Sequence, residues 1–209
     1  MREQGRRISA RRGSPLPMQG SLVGMEQQPP VGSLFLGVFP PPAACEAIAI
    51  EIEALRVEHS LTGASIRSSR LHATLHYLGE HAIERNDIVD KACVAASRVS
   101  HAGFGMALAS ASSFSTRGDR HPCVLLCPEE RPPIHGLWRE LGNQLMAAGL
   151  GRYLKRDFVP HVTVLYDRQV LTPQAIEPVR WQARDFSLVR SQPGRDDYEI
   201  LATWALREP

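Results

Sequence analysis

No apolar run in this sequence comes near the roughly 18 to 20 residues that a membrane-spanning helix needs, because glycine, proline or a charge soon interrupts every oily stretch. Cysteine is scarce: Cys45, Cys93, Cys123 and Cys127 are the only four, with no CxxC spacing, and since no apolar stretch follows "RRISARR" a secretory signal is not expected there. In a chain of 209 residues, long enough to bury a core without staples, they read as reduced residues of a cytoplasmic protein. His121, Cys123 and Cys127 fall in "HPCVLLCP", whose strand-like character spreads them along an extended backbone, so a buried strand is the preferred reading over a metal site. Also missing are the GxxxxGK[ST] phosphate loop, the GxSxG nucleophile turn and the HExxH zinc helix, which leaves three common enzyme chemistries without footing.

Charge of one sign is lacking as well. The formal net charge is only +2, and residues 1–12 alone hold five arginines against Glu3, a local +4, so the rest of the chain is net −2. Such a balance does not support a globally basic surface that binds duplex nucleic acid without specificity, so any anion is expected to be met in a focused cleft. Residues 1–32 are rich in Arg, Gly, Pro, Ser and Gln and carry no periodic apolar face. They are expected to form a disordered basic tail outside the fold, and Met18 and Met25 offer later translation starts.

What is present beyond the tail alternates between the two hydrophobic periods. Strands are expected at 33–39 ("SLFLGVF"), 71–78, 104–114, 123–127, 160–167, 183–191 and 198–206, and helices at 43–59, 84–100 and 133–150. A further short helix is expected in "LTPQAIEPV", with Thr172 as cap and Pro173 at the first helical position. Turns join several of the strand pairs, which predicts an α+β domain over residues 33–209, mixed or antiparallel and built of two similar lobes.

Two of the strands carry the same short pattern. "HATL" at 72–75 is echoed by "HVTV" at 161–164. Alternation along a strand puts His72 with Thr74 on one face and His161 with Thr163 on another. With six threonines and eight histidines in the chain, chance supplies about 0.2 His-x-Thr pairs, so two in predicted strands favour a shared site over incidental strand residues. Two imidazoles that titrate near neutrality can take a proton from a nucleophile and give one to a leaving oxygen, while two hydroxyls donate to the oxygens of an anion between them. By parity His76 shares the face of His72 and Thr74, and a solvated or structural place is expected for it.

"HATLHYLGE" and "PHVTVLYD" resemble the paired His-x-Thr/Ser-hydrophobic signatures of the two-histidine phosphoesterase superfamily, in the branch of 2′-5′ RNA ligases and RNA 2′,3′-cyclic phosphodiesterases. The resemblance extends over residues 33–207. It implies a bilobal fold, two mixed or antiparallel sheets with outer helices around a central cleft, in which His72 and His161 are catalytic and Thr74 and Thr163 hold the phosphate. It implies a metal-independent cyclic phosphodiesterase without cofactor, opening a terminal 2′,3′-cyclic phosphate to a 2′-phosphate, with His72 leaning to acid and His161 to base. The alternatives are a true 2′-5′ RNA ligase and a noncatalytic RNA- or nucleotide-binding module. The expected partners are RNA ends or small cyclic nucleotides, and a monomer is expected because the paired motifs complete a site within one chain. One departure stands out: where this branch often has an arginine five places after the second histidine, this chain has Tyr166. Candidate substrate contacts are Phe114, Arg117 and Arg120 in "FSTRGDR", with Arg190, Lys155 and Arg156, since single-stranded RNA is commonly held by stacked rings and guanidinium groups.

Overall fold

The structure, a computed structural model, describes residues 31–83, 85–128 and 132–208. Up to residue 30 the expected basic tail lies outside the described residues, while Val31 and Gly32 already open the first strand.

In chain order the elements are β1 (Val31–Val38), α1 (Pro42–His59), β2 (Ala73–Ala82), α2 (Asn86–Ala96), β3 (Phe104–Ser113), β4 (His121–Leu126), α3 (Ile134–Ala147), β5 (His161–Asp167), β6 (Gln174–Ala183), β7 (Asp185–Ser191) and β8 (Glu199–Ala205). Helix α1 starts where Pro42 fits the first turn, whose amide has no helical acceptor, and closes where Ser60 turns left-handed at φ 53°. Its buried residues Ala44, Ile48, Ile52 and Leu55 follow helical spacing along one stripe.

The eight strands of the described residues form one sheet in the order β6-β3-β4-β5-β2-β1-β7-β8, and every adjacent pair is antiparallel. Two sheets were expected, and here the structure corrects the reading. The halves β6-β3-β4-β5 and β2-β1-β7-β8 are joined through a single residue pair, Ala73 with Val162, where the two motif strands meet. The inner units correspond across that join: β1-α1-β2 in one half matches β4-α3-β5 in the other. Helices stitch the halves together, since α1 packs on β6 and α3 packs on both α2 and β2.

A second correction concerns "LTPQAIEPV". Residues 174–183 form β6, which pairs with β3 and alternates between exposed and covered positions. Proline breaks a helix more severely than an edge strand, and β6 is an edge, so Pro178 removes no donor the sheet requires. Among the described residues no helix is long and apolar enough to cross a membrane.

Candidate active site

The site grows from the join. His72 stands immediately before β2 and His161 opens β5, so the pair Ala73–Val162 brings the residue next to each histidine into direct register. Past the histidines, each motif strand carries a β-bulge one residue after its threonine. On β2, Thr74 faces Gly37 and His76 faces Leu36, with Leu75 inserted between them. On β5, Thr163 faces Val124 and Leu165 faces Cys123, with Val164 inserted. A bulge puts two residues opposite one and shifts all later side chains to the other face.

This shift overturns the parity expected for His76. It turns away from the threonine face onto α3, where its ring stacks on Trp138 at 5.7 Å and Nε2 donates to the Trp138 carbonyl at 2.8 Å. Gly142 makes the approach possible, because a Cβ there would stand 3.2 Å from the imidazole. The same shift returns a tyrosine to the cleft face on each strand: Tyr77 opposite Phe35, and Tyr166 opposite Pro122. Because β2 and β5 run antiparallel, each tyrosine lands beside the other strand's histidine. Tyr166 lines a hollow of about 480 Å³ with His72, Thr74 and Thr163, and Tyr77 lines an adjoining one of about 240 Å³ with His161 and Thr74.

Both imidazoles are fixed in one tautomer. His72 Nδ1 lies 2.8 Å from the Arg70 carbonyl, and His161 Nδ1 lies 2.7 Å from the Val159 carbonyl. A carbonyl only accepts, so each Nδ1 carries hydrogen and each Nε2 keeps its lone pair when the ring is neutral. His72 is further enclosed by rings: it stacks on Phe35 at 4.5 Å, meets Tyr198 edge-on at 5.4 Å and lies beside a tilted Phe39 at 5.8 Å. A Cβ at Gly37 would press on the Ala73 carbonyl oxygen at 3.0 Å while only touching Phe35 and His72, so the glycine serves the close approach of β1 to β2 beside the stack. Burial pulls the His72 pKa down to about 4; the bond to Arg70 opposes the shift, and the charges of His161 and Arg70 add to it. His161 is lowered as well, first by burial, against its bond to Val159, and then by Lys155. Burial thus favours the neutral form of both rings in the free protein.

The remaining sequence candidates divide. Phe114 sets its ring edge-on to His161 at 4.8 Å, and Lys155 lines the His161 hollow. Arg120 donates to the Tyr166 carbonyl at 2.8 Å and lines a neighbouring shallow hollow. Arg117 and Arg156 are exposed and line neither cleft hollow. Arg190 is buried and its charge is taken by Glu199 at 3.2 Å, outside both hollows. Sequence reasoning missed Phe35, Phe39 and Tyr198 around His72, as well as Arg70 and Tyr153 in the cleft. Only Tyr77 left a signal, five residues after His72 as Tyr166 is five after His161.

Residues 40–195 match the family model described as the 2'-5' RNA ligase superfamily. The chain belongs to that superfamily. Solved structures of similar fold include E. coli LigT complexed with NADP+, at 25% identity over 87% of this chain and 100% of that one, with a TM-score of 0.64. LigT in apo form is likewise 25% identical, covering 86% and 99% at a TM-score of 0.62. A Thermus thermophilus protein is 21% identical over 84% and 98%, with a TM-score of 0.65, and supports the fold alone. No curated protein matches the chain. Membership in the 2′-5′ RNA ligase superfamily makes this a phosphodiester-acting fold, and the two His-x-Thr strands lie within the matched span.

Proposed function

We propose that the protein is a metal-independent 2′,3′-cyclic phosphodiesterase that opens the terminal cyclic phosphate of RNA to a 2′-phosphate. The observation that carries this reading is the paired anchoring: two imidazoles, each with Nδ1 on a backbone carbonyl, beside two threonines on strands that meet at one residue pair. In the reaction one Nε2 takes a proton from water as the water oxygen attacks phosphorus. The P–O3′ bond breaks, and the other Nε2 gives its proton to O3′, leaving a 2′-phosphate. Thr74 and Thr163 donate to the nonbridging oxygens, where charge accumulates. If His72 is the acid, it must gain its proton together with the bound anion, because burial keeps it neutral down to about pH 4 in the free protein.

LigT has been captured with 3′-AMP, ATP, NADP+ and phosphate, and a nucleotide ligand of that kind suits this cleft. The 2′-5′ RNA ligase reaction would use the same groups in the same direction, with a ribose 5′-hydroxyl in place of water as the nucleophile and O3′ again leaving; a noncatalytic module would bind without turnover. The deciding experiment incubates the purified protein in EDTA with a short RNA ending in a 2′,3′-cyclic phosphate, beside His72→Ala and His161→Ala. Conversion to a 2′-phosphate, reduced by about 10²- to 10⁴-fold in each variant while nucleotide binding persists, supports the reading. Unchanged turnover in either variant, or conversion abolished by EDTA in the wild type, overturns it.

A further inference from the structure

The charges around the cleft are not all compensated. At the His72 end stand Arg67, Arg70 and Arg195 against Asp196 and Asp197. Arg67 pairs with Asp196 at 2.9 Å, and Asp197 accepts from the Ser69 hydroxyl at 2.7 Å. Among the described residues no carboxylate pairs with Arg70. Its guanidinium lies over the Tyr198 ring at 4.5 Å and donates to the Ser191 hydroxyl at 3.2 Å and to the Arg195 carbonyl at 3.3 Å. All three partners are neutral, and together they pre-orient the group, which lines the same hollow as His72, Thr74, Thr163 and Tyr166.

The location of those anchors says which anion the group meets. Thr74 and Thr163 flank the join of β2 and β5, whereas Ser191 ends β7, two strands beyond β2 and so about 10 Å across the sheet, at the level of Ser33, four residues along β1 from the Gly37 that faces Thr74. The guanidinium is thus held toward β7, to the side of the threonine pair and across the aromatic floor of Phe35 and Tyr198. Resting on the reading of the join as the cyclic-phosphate site, we propose that Arg70 binds a second anionic group of the substrate. That group is the phosphate on the 5′ side of the terminal nucleoside, so the protein selects nucleotides and RNA ends that carry it over a bare nucleoside cyclic phosphate. The side chain that reads this phosphate belongs to the residue whose carbonyl fixes the His72 tautomer. Tyr166 brings no charge to the hollow, which leaves Arg70 as its cation without a carboxylate partner among the described residues.

The test is equilibrium binding of two product-like probes, adenosine 2′-monophosphate and adenosine 2′,5′-bisphosphate, by calorimetry to wild type, Arg70→Met and Arg70→Lys. Wild type is expected to bind the bisphosphate at least 10-fold more tightly, and the advantage shrinks as salt is raised. Arg70→Met should hold both probes within about two-fold of each other, with Arg70→Lys intermediate. Equal affinities in the wild type overturn the proposal, as does a preference that survives in Arg70→Met. Equal weakening of both probes in Arg70→Met overturns it too, because the guanidinium would then hold the phosphate at the threonines. Should Arg70→Met fail to fold, the wild-type preference and its partial loss in Arg70→Lys decide. Turnover of cyclic-phosphate RNA by the wild type, measured separately, reports on the proposed reaction; its failure leaves the binding comparison to judge Arg70 alone.

Discussion

His72 and His161 share a backbone anchor but not an environment, and the difference governs how activity should vary with pH. A pair acting as acid and base works only when one ring is protonated and the other neutral, and that form is most populated between the two pKa values. Burial lowers both, His72 to about 4 and His161 below its ordinary 6.5. The maximum of kcat/KM for a cyclic-phosphate substrate is therefore expected on the acid side of pH 6.5, with a decline as pH rises through 7 and 8. A rate profile that peaks above pH 7 would contradict the neutral resting state of both rings. Replacing Lys155 by Met removes one cause of the His161 shift and should move the alkaline limb upward.

At the scale of elements, the two bulges do what periodicity cannot show. "HATLHY" and "HVTVLY" are each read correctly through the threonine, because His-x-Thr alternates regularly up to that point. The extra residues Leu75 and Val164 are ordinary aliphatic strand residues, and nothing in their chemistry marks them as unpaired. Parity therefore misplaces His76. The motif histidines, the threonines and most strands were legible from residue type and period, while the aromatic wall of His72 was not. Phe35 and Phe39, on and just after β1, and Tyr198, just before β8, are far from His72 in the chain, and only the sheet order brings them together. The short helix expected in "LTPQAIEPV" failed for a similar reason: pairing with β3 outweighed a local capping signal. His76→Ala tests the bulge directly. It should destabilise the fold by about 2 kcal/mol, through a cavity under α3 and a lost hydrogen bond, yet leave kcat within about two-fold of wild type. A fall in kcat like that expected for His72→Ala would instead return His76 to the catalytic face.

For the whole molecule, the join of the two sheet halves gathers one buried and two half-buried imidazoles at the centre of the sheet. His72, His76 and His161 all stand on or at the start of the two motif strands, and burial lowers all three pKa values. An unfolded chain takes up protons on these groups as pH falls below about 6.5, and the native protein refuses them. Stability from this source is thus complete above pH 6.5 and is lost as pH falls toward the folded values, about 4 for His72. For His72 alone the linkage amounts to at most about 3 kcal/mol. Carboxylates titrate in the same range, so the informative quantity is a difference. Unfolding free energies of wild type and His72→Gln, measured in denaturant from pH 7.5 to 4, should diverge by about 2 to 3 kcal/mol in favour of the variant as the acid end is approached. A constant difference across that range would mean that the His72 ring accepts its proton in the folded protein as readily as in the unfolded chain. Its aromatic enclosure would then be open to water. A bound nucleotide phosphate should narrow the divergence, because an anion between the two strands favours the protonated ring that burial alone excludes.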